Sequence, residues 1–113
     1  MVLLNSNLAI SKNFWTANTS YVTVYVGTMV YNAYECSLTI NVGLKTSIAQ
    51  YNSLVIGTTS VKPPLDIVTG LVTTNGIRYQ LFITAGGNIQ IQAMSGAIAS
   101  GDSIAAHIKY FVA

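Results

Sequence analysis

Gly86-Gly87-Asn88-Ile89-Gln90-Ile91-Gln92-Ala93-Met94, a small-residue loop over residues 95–102, and Ser103-Ile104-Ala105-Ala106-His107-Ile108-Lys109-Tyr110-Phe111-Val112 decide the fold. Ile89 and Ile91 alternate with Gln90 and Gln92. Ile104, Ala106 and Ile108 alternate with Ala105, His107 and Lys109. A side-chain period of two places each set on one face of a strand. Two such strands flank a Gly/Ser/Ala loop, and the second is expected to close a sheet or barrel.

The same alternation recurs upstream. Val22, Val24 and Val26 are expected on one face, with Tyr21, Thr23 and Tyr25 opposite. Gly27 marks a bulge or a close backbone approach within that strand. Met29 and Tyr31 are expected to continue the outer face. Leu38, Ile40 and Val42 form the next apolar face, against Ser37, Thr39 and Asn41. Residues 45–52 are irregular, and Ile48 and Tyr51 are expected to anchor a short turn of helix. Residues 54–56 form a short buried strand, and residues 67–72 another. Asn75-Gly76 predicts a type I′ hairpin. After it, Ile77, Tyr79, Leu81 and Ile83 share one face, and Arg78, Gln80 and Phe82 the other.

Such a pattern means an all-β domain of about seven or eight short antiparallel strands, a small sandwich or barrel. The connection over residues 59–66, stiffened by Pro63-Pro64, is long enough to cross from one sheet to the other. A Greek-key or jelly-roll-like topology is therefore expected in preference to an up-and-down barrel. Residues 1–12 read as an N-terminal arm or the remnant of a stalk, and residues 13–113 as the β-barrel head.

Composition narrows the function classes. Half of the 113 residues are apolar and only 7% are charged, against roughly 25% in an average domain. The net charge of +2 comes from scattered residues, so a nucleic-acid partner has no basic stripe to bind. Cys36 is the only cysteine, which leaves no disulfide framework and no metal cluster; it is expected as a small buried hydrophobe. No apolar run reaches the roughly 18 residues of a membrane helix. Most of the strands are too short for an outer-membrane barrel, so no membrane insertion is expected. Met1-Val2-Leu3-Leu4 is too short for a signal-peptide core.

No catalytic constellation is present in the sequence. A glycosidase needs two carboxylates, and Glu35, Asp66 and Asp102 are the only acids. His107 stands alone. The chain is expected not to be an enzyme, and no cofactor or metal is expected. Binding chemistry fits better. The scarcity of charge points to surface buried against copies of itself, or to a surface suited to a neutral, hydroxyl-rich ligand. Sugars stack on aromatic rings, and the chain has Trp15 and seven tyrosines. Trp15 is the first candidate for a saccharide-stacking residue and Tyr31 the second. Asp66, Arg78 and His107 are candidates for polar contacts to hydroxyls.

Three motifs carry a resemblance. The first is an aromatic opening strand, Asn13-Phe14-Trp15-Thr16. The second is a strand ending in Gly-Thr and a loop closing on a basic residue and proline, Leu54-Val55-Ile56-Gly57-Thr58-Thr59-Ser60-Val61-Lys62-Pro63. The third is Gly87-Asn88-Ile89-Gln90-Ile91, then Gly101-Asp102, then Ile108-Lys109-Tyr110. In these the chain resembles the C-terminal head domain of receptor-binding proteins of lactococcal-type tailed phages. Ser60-Val61 departs from the Gly-aromatic pair common in such loops. The resemblance implies a homotrimeric β-barrel head at the phage tail tip or baseplate, joined to other tail proteins. It implies adhesion to host cell-wall saccharides without catalysis. Two alternatives stand beside it: a structural tail-tip module without its own ligand, and a free-standing trimeric lectin-like domain.

Overall fold

Alternating apolar residues become strands along the whole described chain. The structure, a computed structural model, describes residues 10–12, 15–31 and 34–112. Its strands are β1 (Ile10–Lys12), β2 (Trp15–Ala17), β3 (Val22–Tyr31), β4 (Glu35–Leu44), β5 (Ser53–Thr59), β6 (Ile67–Val72), β7 (Arg78–Ile83), β8 (Asn88–Ala93) and β9 (Ser103–Phe111). No helix forms among the described residues. Two antiparallel sheets result, with strand orders β1-β3-β4-β9 and β2-β5-β8-β7-β6. They pack face to face as a small β-sandwich. Leu38, Ile40, Val42, Ile104 and Ile108 line the inner face of the first sheet. Tyr79, Leu81, Ile83, Ile89 and Ile91 line that of the second. Each such side chain contributes about 1.5–3 kcal/mol on burial. Cys36 lies among them, fully buried.

The order β5-β8-β7-β6 is a Greek key: three strands joined by tight hairpins, with the preceding strand returned beside the third. The long connection therefore differs from the expected crossover. It leaves and re-enters the same five-stranded sheet, passing over the end of the sandwich. Among the described residues the chain crosses between sheets by the short link 18–21, from β2 to β3, and by two longer loops, residues 45–52 from β4 to β5 and residues 94–102 from β8 to β9.

Those two longer loops are one motif used twice, Ile48-Ala49-Gln50-Tyr51-Asn52-Ser53 and Ile98-Ala99-Ser100-Gly101-Asp102-Ser103. Ile48 N donates to Ile98 O at 2.8 Å and Ile98 N to Ile48 O at 2.9 Å. Tyr51 N bonds Ala93 O at the end of β8 (2.6 Å), and Gly101 N bonds Leu44 O at the end of β4 (2.8 Å). Tyr51 and Gly101 both have left-handed backbones, φ 68° and 96°. The helical turn expected at 45–52 does not form, because these backbone groups pair across the loop instead.

The hairpins β6–β7 and β7–β8 also share a design. Gly76 N donates to Thr73 O (2.9 Å) and Gly87 N to Thr84 O (2.8 Å). Thr73 Oγ1 accepts from Ile77 N and Thr84 Oγ1 from Asn88 N, at 3.1 and 3.0 Å. Gly76 has a positive φ but Asn75 does not, so the turn is not type I′. It is a three-residue loop closed by a left-handed glycine.

Strand β3 departs from the expected faces. Its register against β4 shifts between Val24 and Val26, so Tyr25 is an extra residue and every later side chain changes face. Val26 turns outward, and Met29 is fully buried instead of continuing the outer face. Residues 10–12 of the expected arm pair with Tyr31–Met29 as edge strand β1; residues 1–9 lie outside the described residues.

Candidate functional site

Trp15 begins β2, opposite Thr59 of β5, and only 7% of its surface is exposed. The indole slides between the sheets because two glycines make room. A Cβ on Gly57 would stand 3.0 Å from Trp15 Cε3, and one on Gly27 would overlap Trp15 Cζ2. The ring is core. The expectation of an exposed stacking face at Trp15 is corrected by this burial. Asn13 and Phe14 of the same motif lie outside the described residues.

The second motif is likewise internal. Thr59 is buried, and its Oγ1 accepts from Val61 N at 3.0 Å and approaches Met29 Sδ at 3.3 Å. Tyr110 OH donates to Val61 O at 2.7 Å. The loop is thereby clasped onto the last strand. Burial pushes the Tyr110 phenol well above its ordinary range, and the neighbouring Cys36 adds to it. Burial also raises the Cys36 thiol, and its hydrogen bond with Tyr110 offsets part of that rise.

The remaining candidates do not converge. Tyr31 is half-buried at the end of β3 and packs against the core. Asp66 is exposed, and its Oδ1 accepts from Ala85 N at 2.7 Å, tying the β6 entrance to the β7–β8 turn. Arg78 stands at the opposite end of the same hairpin, opposite Val72; six strand residues put the two roughly 20 Å apart. His107 lies on the outer face of the other sheet, where Thr39 Oγ1 and His107 Nδ1 are hydrogen-bonded at 2.7 Å. The acids have structural partners. Asp102 accepts from Asn75 Nδ2 (3.0 Å) and Ala99 N (3.3 Å), and Glu35 pairs with Lys109 (3.4 Å). Among the described residues no group of three or more His, Cys, Asp or Glu is arranged to hold a metal.

One of the four does line a groove. A depression of about 500 Å³ lies at the end of the five-stranded sheet, bordered by Tyr51, Gly70, Val72, Arg78, Gln80 and Met94. Its parts follow from strand register. Val72 faces Arg78, and Gly70 faces Gln80, which faces Gln92. These residues point away from the core because Leu71, Tyr79 and Leu81 point into it. Nothing lies within 4 Å of where a Gly70 side chain would begin, so the glycine leaves the depression open. The Arg78 backbone is held on both sides: its N donates to Ser95 Oγ at 2.8 Å, and its O accepts from Met94 N at 2.9 Å. Tyr51 closes one wall. Its O accepts from Gln92 Nε2 at 2.9 Å, and 63% of the residue remains exposed. No ion pair engages the Arg78 guanidinium among the described residues.

The groove joins an exposed aromatic face, one guanidinium with no ion pair among the described residues and an amide, in a lining that is otherwise uncharged. That set can stack a ring and exchange hydrogen bonds with hydroxyls. Two other depressions offer less. One, at Leu65, Lys109 and Phe111, is mainly apolar. The other, at Thr16, Thr58, Lys62 and Gly87, has hydroxyls and a cation but no ring. Tyr51 is the residue that sequence reasoning missed as a site. The signal was present in the repeated Ile-Ala motif, which sets a tyrosine where its twin has glycine.

Compared with known families and curated proteins, the chain matches no family model and no individual sequence.

Proposed function

We propose that the chain is the receptor-binding head of a phage tail, an adhesin that holds host cell-wall saccharides without cleaving them. The observation that carries the saccharide reading is the groove: exposed Tyr51 beside Arg78 and Gln80, with no other charged residue in its lining. The phage assignment rests on the sequence motifs quoted above. In this reading Tyr51 takes the stacking role expected of Trp15, and Arg78 keeps its expected polar role. Tyr31, Asp66 and His107 stand outside the groove. Single protein–sugar sites are weak, and a homotrimer anchored to other tail proteins multiplies them through effective concentration.

The test is adhesion of the purified chain to a panel of Gram-positive cells and their extracted wall polysaccharides. Binding to some strains, lost in both Tyr51→Gly and Arg78→Gln, is the expected result. Binding that persists in both variants removes the groove from the proposal, and no binding to any wall polysaccharide removes the adhesin reading.

A second reading has its own observation. Tyr21, just before β3, and Val24, Tyr25 and Val26 in its first half are all at least 38% exposed, where β1 does not cover the strand edge. A row of apolar side chains on an open edge suits burial against another chain. It favours assembly, as a trimer or as a structural tail-tip module.

A further inference from the structure

We infer that the groove selects an acidic saccharide, with the sugar carboxylate on the Arg78 guanidinium and the ring on Tyr51. The inference rests on the saccharide reading and deepens it.

Charge is the first argument. With 7% of its residues charged, the chain places few ions anywhere, and most of those described, Lys62 excepted, are paired or tied. Glu35 and Lys109 pair with each other, Asp66 caps Ala85 N, Lys45 Nζ donates to Thr19 O, and Asp102 serves Asn75 and Ala99. Asp102 is held at the β6–β7 turn by Asn75 and makes no ion pair with Arg78. The guanidinium is left as the one cation of the depression, on a rigid strand start. An arginine fork matches a planar carboxylate in a bidentate geometry.

Stoichiometry of charge is the second. One guanidinium balances one negative charge. A carboxylate brings one, whereas a phosphomonoester brings roughly 1.5–2 at pH 7. The surrounding Gln80, Gly70, Val72 and Met94 offer no second cation.

Position is the third. Tyr51 occupies a left-handed backbone that its twin Gly101 occupies without a side chain. A non-glycine residue there costs about 1–2 kcal/mol, and the ring it places is largely exposed at the groove wall. Gly70 on the facing side leaves room for a six-membered ring to lie against it.

Nuclear magnetic resonance titration of the 113-residue chain tests this with three probes: a glucuronate–N-acetylglucosamine disaccharide, its carboxyl-reduced counterpart, and glucose 6-phosphate. The expected result is tightest binding of the uronate, about tenfold over the reduced sugar. That preference should shrink as salt rises past the screening range of about 0.15 M, and it should vanish in Arg78→Gln. Because Arg78 is exposed, the variant folds, and the salt series on the unsubstituted chain tests the same point without it. Equal binding of the uronate and reduced sugar overturns the acidic selectivity and leaves the saccharide reading standing. Tighter binding of the phosphate overturns the carboxylate assignment. Failure of both disaccharides to bind overturns this inference, and failure of all wall polysaccharides as well overturns the reading beneath it.

Discussion

Replacing Tyr51 by alanine and by glycine separates the strain at this residue from the work of its ring. Both variants lose the ring, so its packing loss is nearly common to the two. They differ in the backbone. At φ 68° alanine keeps the Cβ clash of the left-handed region, about 1–2 kcal/mol. Glycine relieves it but adds about 0.4–1 kcal/mol of unfolded-state entropy. The net expectation is that Tyr51→Gly is the more stable by about 0.5–1 kcal/mol. For a domain of this size that is about 2–6 °C in Tm. Gly101→Ala at the twin position is the control. No atom lies within 4 Å of the added Cβ, so its net loss of about 0.5–1 kcal/mol is left-handed backbone strain less the unfolded-state entropy term, with no steric clash. Thermal and urea melts followed by circular dichroism measure all three. If Tyr51→Ala equals or exceeds Tyr51→Gly in stability, residue 51 is not strained, and the argument that its ring is placed there at a cost fails.

Other outcomes follow from the core and from pH. Trp15→Ala should cost about 3–5 kcal/mol, seen as a collapse of the urea midpoint; a near-neutral effect would mean that the indole is not between the sheets. Stability should fall as pH rises above about 9, because Cys36, Tyr79 and Tyr110 are all held protonated by burial, from ordinary values of 9.0 for the thiol and 10.0 for the phenols. The unfolded chain loses these protons first, so alkali favours it. Tyr79 alone, pushed up to about 12, removes about 2–3 kcal/mol by pH 12 at about 1.4 kcal/mol per pH unit. A flat denaturation midpoint from pH 8 to 11 would contradict the burial of these groups. Light scattering of the purified chain should give a trimer mass at micromolar concentration, and a monomer mass would remove the trimer from the proposal.

The strands were legible because a half-buried sheet writes its faces in alternate residues. Residues 77–83 and 104–108 needed nothing else, and their inward sets are the ones found. What was not legible depended on events that leave no local trace. The bulge at Tyr25 adds one residue between valines, and alternation cannot reveal it, so Val26 and Met29 were placed on the wrong faces. Trp15 reads the same in sequence whether its ring turns in or out. Its burial is decided by Gly27 and Gly57, which are distant in the chain and adjacent only after the sheets stack. Asn75-Gly76 signalled a hairpin correctly but not its type, because the Thr73 hydroxyl supports a longer loop.

The candidate site was half legible for a similar reason. Arg78 could be picked out as a lone fork, but its companions arrive through strand register and a crossover loop. The repeat supplies the missing argument. Two loops with the same sequence pattern, the same reciprocal bridge and the same left-handed residue have the same folding requirement at that residue, and glycine meets it at position 101. Folding therefore gives no reason for a tyrosine at position 51. The ring is mostly exposed, so core packing gives little reason either. What distinguishes the two positions is their setting, since Tyr51 borders the depression that holds Arg78 and Gln80 and Gly101 does not. A departure from symmetry that the fold does not need, where an aromatic face meets a cation with no ion pair among the described residues, is the argument for the proposal that Tyr51 serves a ligand.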